Sequence, residues 1–443
     1  MRRQTGDDPD SLDRILSAVE RPTVRGEYLH WDELRHRTPP DGLSVQQWWL
    51  GVKIRRMGQA RSVPLVDTRG RAFHYALADP LPAALHQIDL RAGGMIGMPA
   101  AIESEATRNQ YRVRSLTEEA ISSSQIEGAH TTRRVAKEML RQGRAPRDKS
   151  EQMILNNYQA MQRIRSLKGE PLSPGLVFEL HRIVTQDTLD DPEGAGRLRE
   201  SDDVNVVDPY GEVLHVPPAA RELPGRLEAL CRFANQADGD AEDFVHPVIR
   251  AMVLHFWLAY DHPFVDGNGR TARALFYWSM LRQPYWIAEY ITISSVINKA
   301  RTAYGRAFLH VETDENDLTY FLIYHAELIR RAVEDLHRHV DDRARRLRTL
   351  EAGLRGTADL NHRQRELVGH ALRHPGQVYT IESHQNSHAI GYETARADLL
   401  DLTERGLLKK RRSGRIYAFQ AVPELERRLA EPPRPRRGNR KSR

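Results

Sequence analysis

Twelve consecutive residues, His262-Pro263-Phe264-Val265-Asp266-Gly267-Asn268-Gly269-Arg270-Thr271-Ala272-Arg273, constrain this chain more than any other stretch. An apolar stripe (Val248, Ile249, Met252, Val253, Phe256, Ala259) leads into them, and a second (Leu275, Phe276, Met280) leads out. Both stripes have helical spacing. Pro263 disfavours helical geometry at His262, so the first helix stops there. Gly267 and Gly269 permit backbone angles and close approaches that other residues forbid. A second helix starts near Gly269 or Arg270, so the loop ends at a helix N-terminus, where free N–H groups favour an anion. Arg270 and Arg273 stand three apart in that first turn, an unfavourable place for cations unless an anionic ligand joins them. Asp266 is a hard oxygen ligand suited to Mg²⁺ on a polyphosphate. His262 carries a ring that titrates close to working pH. The pattern predicts a phosphate-holding loop with a base beside it.

The rest of the composition sets broad limits. A length of 443 residues suggests two to four domains, and 40% hydrophobic with 28% charged residues is ordinary for a soluble globular chain. The formal net charge of +6 resides in the end of the chain: Arg434 to Arg443 carry six Arg or Lys and no acid. Residues 421–443 read as a basic, disordered tail. The single cysteine, Cys231, excludes an internal disulfide framework and fits a reducing cytosol, with the thiol buried in an apolar run. No apolar core follows the first residues, so no secretory signal is read. The run Val248 to Tyr260, broken by Arg250 and His255, is too short to span a bilayer. These features predict a cytoplasmic protein without membrane contact.

Along the chain, residues 1–100 read as an α+β region with a hairpin turning at Asp67 to Gly70. Residues 101–335 have helical periodicity, shown by Ile154, Tyr158, Met161 and Ile164 and again by Leu318, Phe321 and Leu322. One stretch breaks it. Val204 to Val216 alternates as a β-hairpin and closes at Pro217-Pro218, giving a hairpin over about 202–217. Residues 336–359 form a charged helical connector, and residues 360–420 read as helix, short helix, helix and hairpin, the layout of a winged helix-turn-helix. The fold class is mainly α.

The twelve-residue string resembles the signature of the Fic (filamentation induced by cAMP) family, His-x-Phe-x-Asp-Gly-Asn-Gly-Arg-x-x-Arg, at every fixed position. The resemblance implies a helical-bundle core and transfer of AMP from ATP to a Ser, Thr or Tyr hydroxyl of a target protein or of the chain itself. His262 would be the general base. Asp266 would hold Mg²⁺. Gly267, Asn268 and Gly269 would cradle phosphate oxygens, and Arg270 and Arg273 would neutralise phosphate charge. Gly269 separates the chain from relatives with lysine there, which transfer phosphate. Tyr304 is a candidate for the adenine pocket. The hairpin resembles the family's flap, with Val204, Asn205, Val206 and Val207 pairing with a target segment.

Upstream, Ser122-Ser123-Ser124-Gln125-Ile126-Glu127-Gly128 reads as the end of a helix, at about 115–128, with Glu127 in an electrostatically poor place. It resembles the family's inhibitory motif, with Ser123 and Glu127 in the fixed positions. The implied brake is an ion pair from Glu127 to Arg273. In some relatives the same glutamate supports AMP removal, so the net direction stays open. The expected partners are ATP and a target protein, DNA or protein contact through the winged helix, and a homodimer.

Two other functions can be read from the residues. A DNA-binding regulator with a weakly active or de-AMPylating core would use Lys409, Lys410, Arg411 and Arg412 near the wing, but the third helix mixes Arg396 with Glu393 and Asp398. A metal hydrolase built on His246, His255 and His262 lacks the spacing such a site needs.

Overall fold

Polar caps stand where the apolar periodicities begin, and helices follow from them. The computed structural model describes residues 9–92, 105–207, 210–236, 244–283, 285–356, 360–413 and 416–430. Of the tail expected at 421–443, residues 421–430 are folded instead, with Val422 and Leu425 in the core of their unit; the rest of it and the hairpin tip at 208–209 lie outside the described residues. In chain order the first elements are α1 (Pro9–Ala18), α2 (Trp31–Leu34), α3 (Val45–Met57), β1 (Ala60–Val66), β2 (Ala72–Ala76) and α4 (Leu81–Ala92). Then come α5 (Glu105–Ile126), α6 (Arg133–Gln142), α7 (Lys149–Ser166), α8 (Pro174–Thr185), β3 (Val206–Val207), β4 (Val213–His215), α9 (Leu223–Asn235) and α10 (Pro247–Asp261). The helices α11 (Asn268–Arg282), α12 (Ile293–Lys299), α13 (Arg301–Thr313) and α14 (Thr319–Gly356) follow. The protein is mainly helical, as the periodicity predicts.

Ser44 begins α3 with a reciprocal capping box to Gln47, and Ser173 caps α8 ahead of Pro174. The two central helices are α10 and α11, which pack on each other and bury nearly every side chain they carry. A helix apolar on all sides belongs in the middle of a bundle. Helices α7 and α8 pack on α11, and α9 packs on α10. Phe256, Trp257, Phe276 and Trp278 are buried there, each contributing about 1.5–3 kcal/mol of apolar transfer. Cys231 on α9 is buried as expected, and burial pushes its thiol up to about 12.

The expected division at residue 100 is not a division of packing. Residues 1–97 and 113–334 form one compact unit. Hairpin β1–β2 turns at Asp67 to Gly70, where Asp67 Oδ1 accepts from the Arg69 and Arg71 amides at 2.9 and 2.8 Å. Its second strand then joins the segment before α14: Leu318 donates to the His74 carbonyl at 2.8 Å, and Tyr28 Oη donates to Asp317 at 2.6 Å. Buried Arg56 donates to the Pro22 and Leu29 carbonyls and to Tyr320 Oη, beside Asp314. Such long-range polar contacts leave no local trace in the sequence.

The second unit holds residues 98–112 and 335–443. The predicted connector is part of the 38-residue helix α14. After it come α15 (His362–Arg373), β5 (Val378–Thr380), α16 (Ile381–His388), α17 (Tyr392–Glu404), β6 (Leu408–Ser413), β7 (Ile416–Ala421) and α18 (Leu425–Ala430). Strand β5, absent from the sequence reading, pairs with β7 and gives an antiparallel sheet in the order β5-β7-β6. Leu367, Val368, Leu399, Leu402 and Phe419 form a core of this unit. Asp398 points inward and accepts from Asn361, Arg363 and His384, so α17 spends that acid on its own fold.

Among the described residues no helix is long and apolar enough to cross a membrane. Replacing Arg56 with alanine removes the side-chain donor to the Pro22 carbonyl and to Tyr320 Oη and a buried cation beside Asp314, which keeps Tyr320 and Lys53 as partners. We expect Arg56→Ala to lower unfolding stability by about 3 kcal/mol in urea melts, the scale of a broken buried polar network.

Candidate active site

Helix α10 ends because Pro263 follows His262, and the chain leaves through a left-handed residue. His262 has φ 44 and ψ 56, a conformation costing a non-glycine residue roughly 1–3 kcal/mol. Arg199 holds it there. Its amide donates to the Pro263 carbonyl at 2.9 Å, and its Nε donates to the His262 carbonyl at 3.1 Å. The same buried guanidinium reaches the Ser201 carbonyl at 2.7 Å, Asp202, and the Pro218 carbonyl, so it ties both ends of the hairpin segment to the loop. Just before His262, buried Asp261 accepts from Arg226 and from Trp257 Nε1 at 3.0 Å. Arg226 also donates to the Val66 carbonyl, joining β1 to the end of α10.

Burial pushes the His262 imidazole down to about 4, and the charges of His215 and Arg199 act in the same direction. At neutral pH the ring is therefore neutral and keeps a lone pair, as a general base must.

The loop itself is a knot of inward-turned polar groups. Asn268 accepts from the Phe264 amide at 2.9 Å and donates to the Phe264 carbonyl at 2.7 Å. Phe264 stacks on His181 with ring centres 3.7 Å apart. His181 accepts from the Gly196 amide at Nδ1 and bonds the Asp266 carbonyl through Nε2, both at 2.8 Å, which fixes Nε2 as the protonated nitrogen. Burial holds this imidazole, too, at about 4. Gly267 has φ 82, and a Cβ on it would come within 2.6 Å of Thr185 Cγ2, so only glycine fits. Arg270 is buried, donating to the Val184 carbonyl at 2.5 Å and to Asp266 Oδ2 at 3.2 Å. The side chains of Asn268 and Arg270, expected on the phosphates, are instead turned into the fold as supports of the loop. The Asp266 carboxylate is half exposed.

Helix α5 ends at Ile126, and the left-handed Gly128, at φ 93, turns the chain beyond it. Glu127 lies between, and its Oε1 accepts from Arg273 Nη2 at 2.8 Å. Arg273 is buried and also donates to Ser123, from Nε to Oγ at 2.8 Å and from Nη2 to the carbonyl at 3.1 Å. Glu127 Oε1 sits so close over Gly269 that a Cβ there would collide with it. A carboxylate thus occupies the first turn of α11, where helix N–H groups favour an anion. Ser123 and Glu127, four residues apart, thus both reach Arg273 across about 150 residues of chain.

Tyr304 stands beside Arg273 with its hydroxyl 2.8 Å from His255 Nε2, and His255 Nδ1 lies 3.0 Å from His325 Nε2. The Tyr304 hydroxyl is thus engaged by the core. The hairpin is shorter than predicted: Val206 pairs with His215 and Val207 with Val213, while Val204 and Asn205 precede the strand. The sequence reading gave no role to His181, Arg226 and His215, nor a partner to Arg199, since their roles arise from contacts across 35 or more residues of chain.

Residues 171–280 match the model of the Fic/DOC family. They form a Fic domain. The curated protein adenylyltransferase Fic of Nematostella vectensis is 38% identical over 108 residues, 24% of this chain and 22% of that protein. That of Drosophila mojavensis is 37% identical over 110 residues, 25% of this chain and 19% of its own length. The chain therefore spans about a fifth of the length of these curated relatives. A Fic family protein from Desulfovibrio desulfuricans G20 shares the fold, with a TM-score of 0.50 at 18% identity, covering 77% of this chain and 95% of that one. Glu127 lies outside the 171–280 match, so the Fic domain meets it through the fold.

The His181 and His262 imidazoles carry folded values near 4, below the unfolded value of about 6.5. The unfolded chain thus binds more protons between these limits, so their contribution to stability is complete above pH 6.5 and is lost as pH falls toward 4. We expect imidazole NMR of the wild type to show His181 and His262 neutral at pH 6, against the His181→Asn and His262→Gln variants for assignment. Protonation of either ring at pH 6 contradicts the burial argument.

Proposed function

We propose that this chain is a protein adenylyltransferase held at rest by its own Glu127. The single observation that carries the reading is the Glu127 carboxylate, bound to Arg273 and pressed onto Gly269, in the anion position of α11. That is where an arriving phosphate has to sit. The names of the curated relatives support the same chemistry for the Fic domain.

In the reaction, the neutral His262 ring takes the proton of an acceptor hydroxyl on a target protein or on the chain itself. The hydroxyl oxygen forms a bond to the α-phosphorus of ATP, and the bond from that phosphorus to the α,β-bridging oxygen breaks. Pyrophosphate leaves with the electron pair. Backbone N–H groups at Gly267 to Gly269 and the start of α11 meet the phosphates, and Arg273, released from Glu127, offers its guanidinium to them. Arg270 acts one step back by steadying Asp266.

The donor set fits Mg²⁺. Asp266 presents one half-exposed carboxylate, and Mg²⁺ is characteristically held by one or two carboxylates together with substrate phosphates and water. Bound there, Mg²⁺ would screen the phosphate charge. For the C-terminal unit, the order of elements supports a winged helix. Exposed Lys409 to Arg412 on β6 favour an acidic contact surface, whereas the exposed Arg396 of α17 is already paired with Glu393.

Removing a charge-assisted bond of about 1.5–3 kcal/mol should change the competent population by roughly 10–100-fold. We expect Glu127→Gly to raise incorporation of label from α-labelled ATP into the protein by that factor. His262→Ala in the same background, or a chelator of divalent cations, should abolish it. An unchanged rate in Glu127→Gly contradicts the brake, and transfer that survives His262→Ala contradicts the base.

A further inference from the structure

His215 closes β4 and is the one residue of that strand turned inward; Val213 and Leu214 are exposed, as is Val216 just beyond. Its ring is clamped at both nitrogens. Nε2 lies 2.7 Å from the carbonyl oxygen of Tyr260, two residues ahead of His262. Nδ1 lies 2.7 Å from Glu312 Oε2 on α13. A carbonyl oxygen can only accept, so Nε2 carries a hydrogen. A carboxylate oxygen 2.7 Å from the remaining nitrogen requires a second proton between them, since two lone pairs repel at that distance. A two-stranded hairpin is marginal by itself, so such an anchor sets where the hairpin stands.

We propose that His215, clamped between the Tyr260 carbonyl and Glu312, is the positioning residue that fixes the hairpin over His262 and so aligns an incoming protein hydroxyl with the base. This inference rests on the adenylyltransferase reading. The hairpin's exposed edge is the part of the molecule suited to holding an extended segment of acceptor protein. Water needs no such alignment. The latch should thus govern transfer to protein far more than loss of AMP to water.

The test uses the full chain carrying Glu127→Gly, with ATP as the only added substrate. AMP adducts on the protein are counted by intact mass, free AMP by chromatography, and ATP affinity by calorimetry. His215→Ala and Glu312→Ala should each lower protein adduct formation by roughly tenfold while free AMP production and ATP affinity stay within about twofold. Glu312→Gln should retain adduct formation, because its amide can donate to Nδ1 of a neutral His215 while Nε2–H still donates to Tyr260. Unchanged adduct formation in His215→Ala overturns the proposal. So does an equal fall of adduct and free AMP, which marks a merely structural role, or a Glu312→Gln variant as impaired as Glu312→Ala. If the Glu127→Gly parent yields neither adduct nor free AMP, the adenylyltransferase reading itself fails and the inference falls with it.

Discussion

The N-terminus of α11 turns backbone N–H groups and the helix dipole toward one point inside a helical bundle, and such a helix end attracts an anion. Glu127 supplies one from the end of a helix more than a hundred residues upstream. Its carboxylate meets Arg273 at 2.8 Å, and the absence of a side chain at Gly269 lets it come close. Arg273 is buried with Ser123 as its other partner, so a guanidinium that would be expensive to leave unpaired has an internal counter-ion. Because Glu127 is partly exposed, that counter-ion can be exchanged for another anion without unfolding the core. On the proposed function, rest and activity differ by which anion sits at one helix end.

Around that point the polar residues of the motif divide into two sets. Asn268 and Arg270 face inward and, with His181, give the loop its shape. His262 and Asp266 carry the reactive ring and the half-exposed carboxylate, and Arg273 carries the exchangeable charge. Arg199 links the sets, since it holds the strained His262 backbone and both ends of the hairpin. A change at the hairpin is therefore felt at the base, and the loop cannot relax without disturbing its supports.

How much of this could be read in advance follows from how local each cause is. Proline after His262, the glycines, and the apolar stripes of α10 and α11 act within a few residues, so the helix–loop–helix was legible in the sequence. Glu127 and Arg273 each stand in an electrostatically poor place on their own helices, but that they pair with each other was implied only by the resemblance to the family's inhibitory motif. Asn268 and Arg270 were assigned to phosphates because residue type shows capacity to bind but not direction; burial turned them inward. His181 and His215 look like ordinary residues on apolar stretches until the fold sets a carbonyl and a second partner at each ring. Residues 1–100 read as a separate region because the ties of Tyr28, Lys53 and Arg56 to Asp317, Asp314 and Tyr320 bridge more than 250 positions. Strand β5, three residues long, is made by pairing with β7 and not by its own sequence.

The central claim is that charge at position 127, and not bulk, occupies the anion site of α11. Glu127→Gln keeps the size of the side chain and removes its charge. Intact mass spectrometry of the wild type and this variant, each incubated with ATP and Mg²⁺, tests the claim most directly. The account predicts faster growth of the AMP-modified species in Glu127→Gln than in the wild type. Equal rates in the two proteins would contradict it.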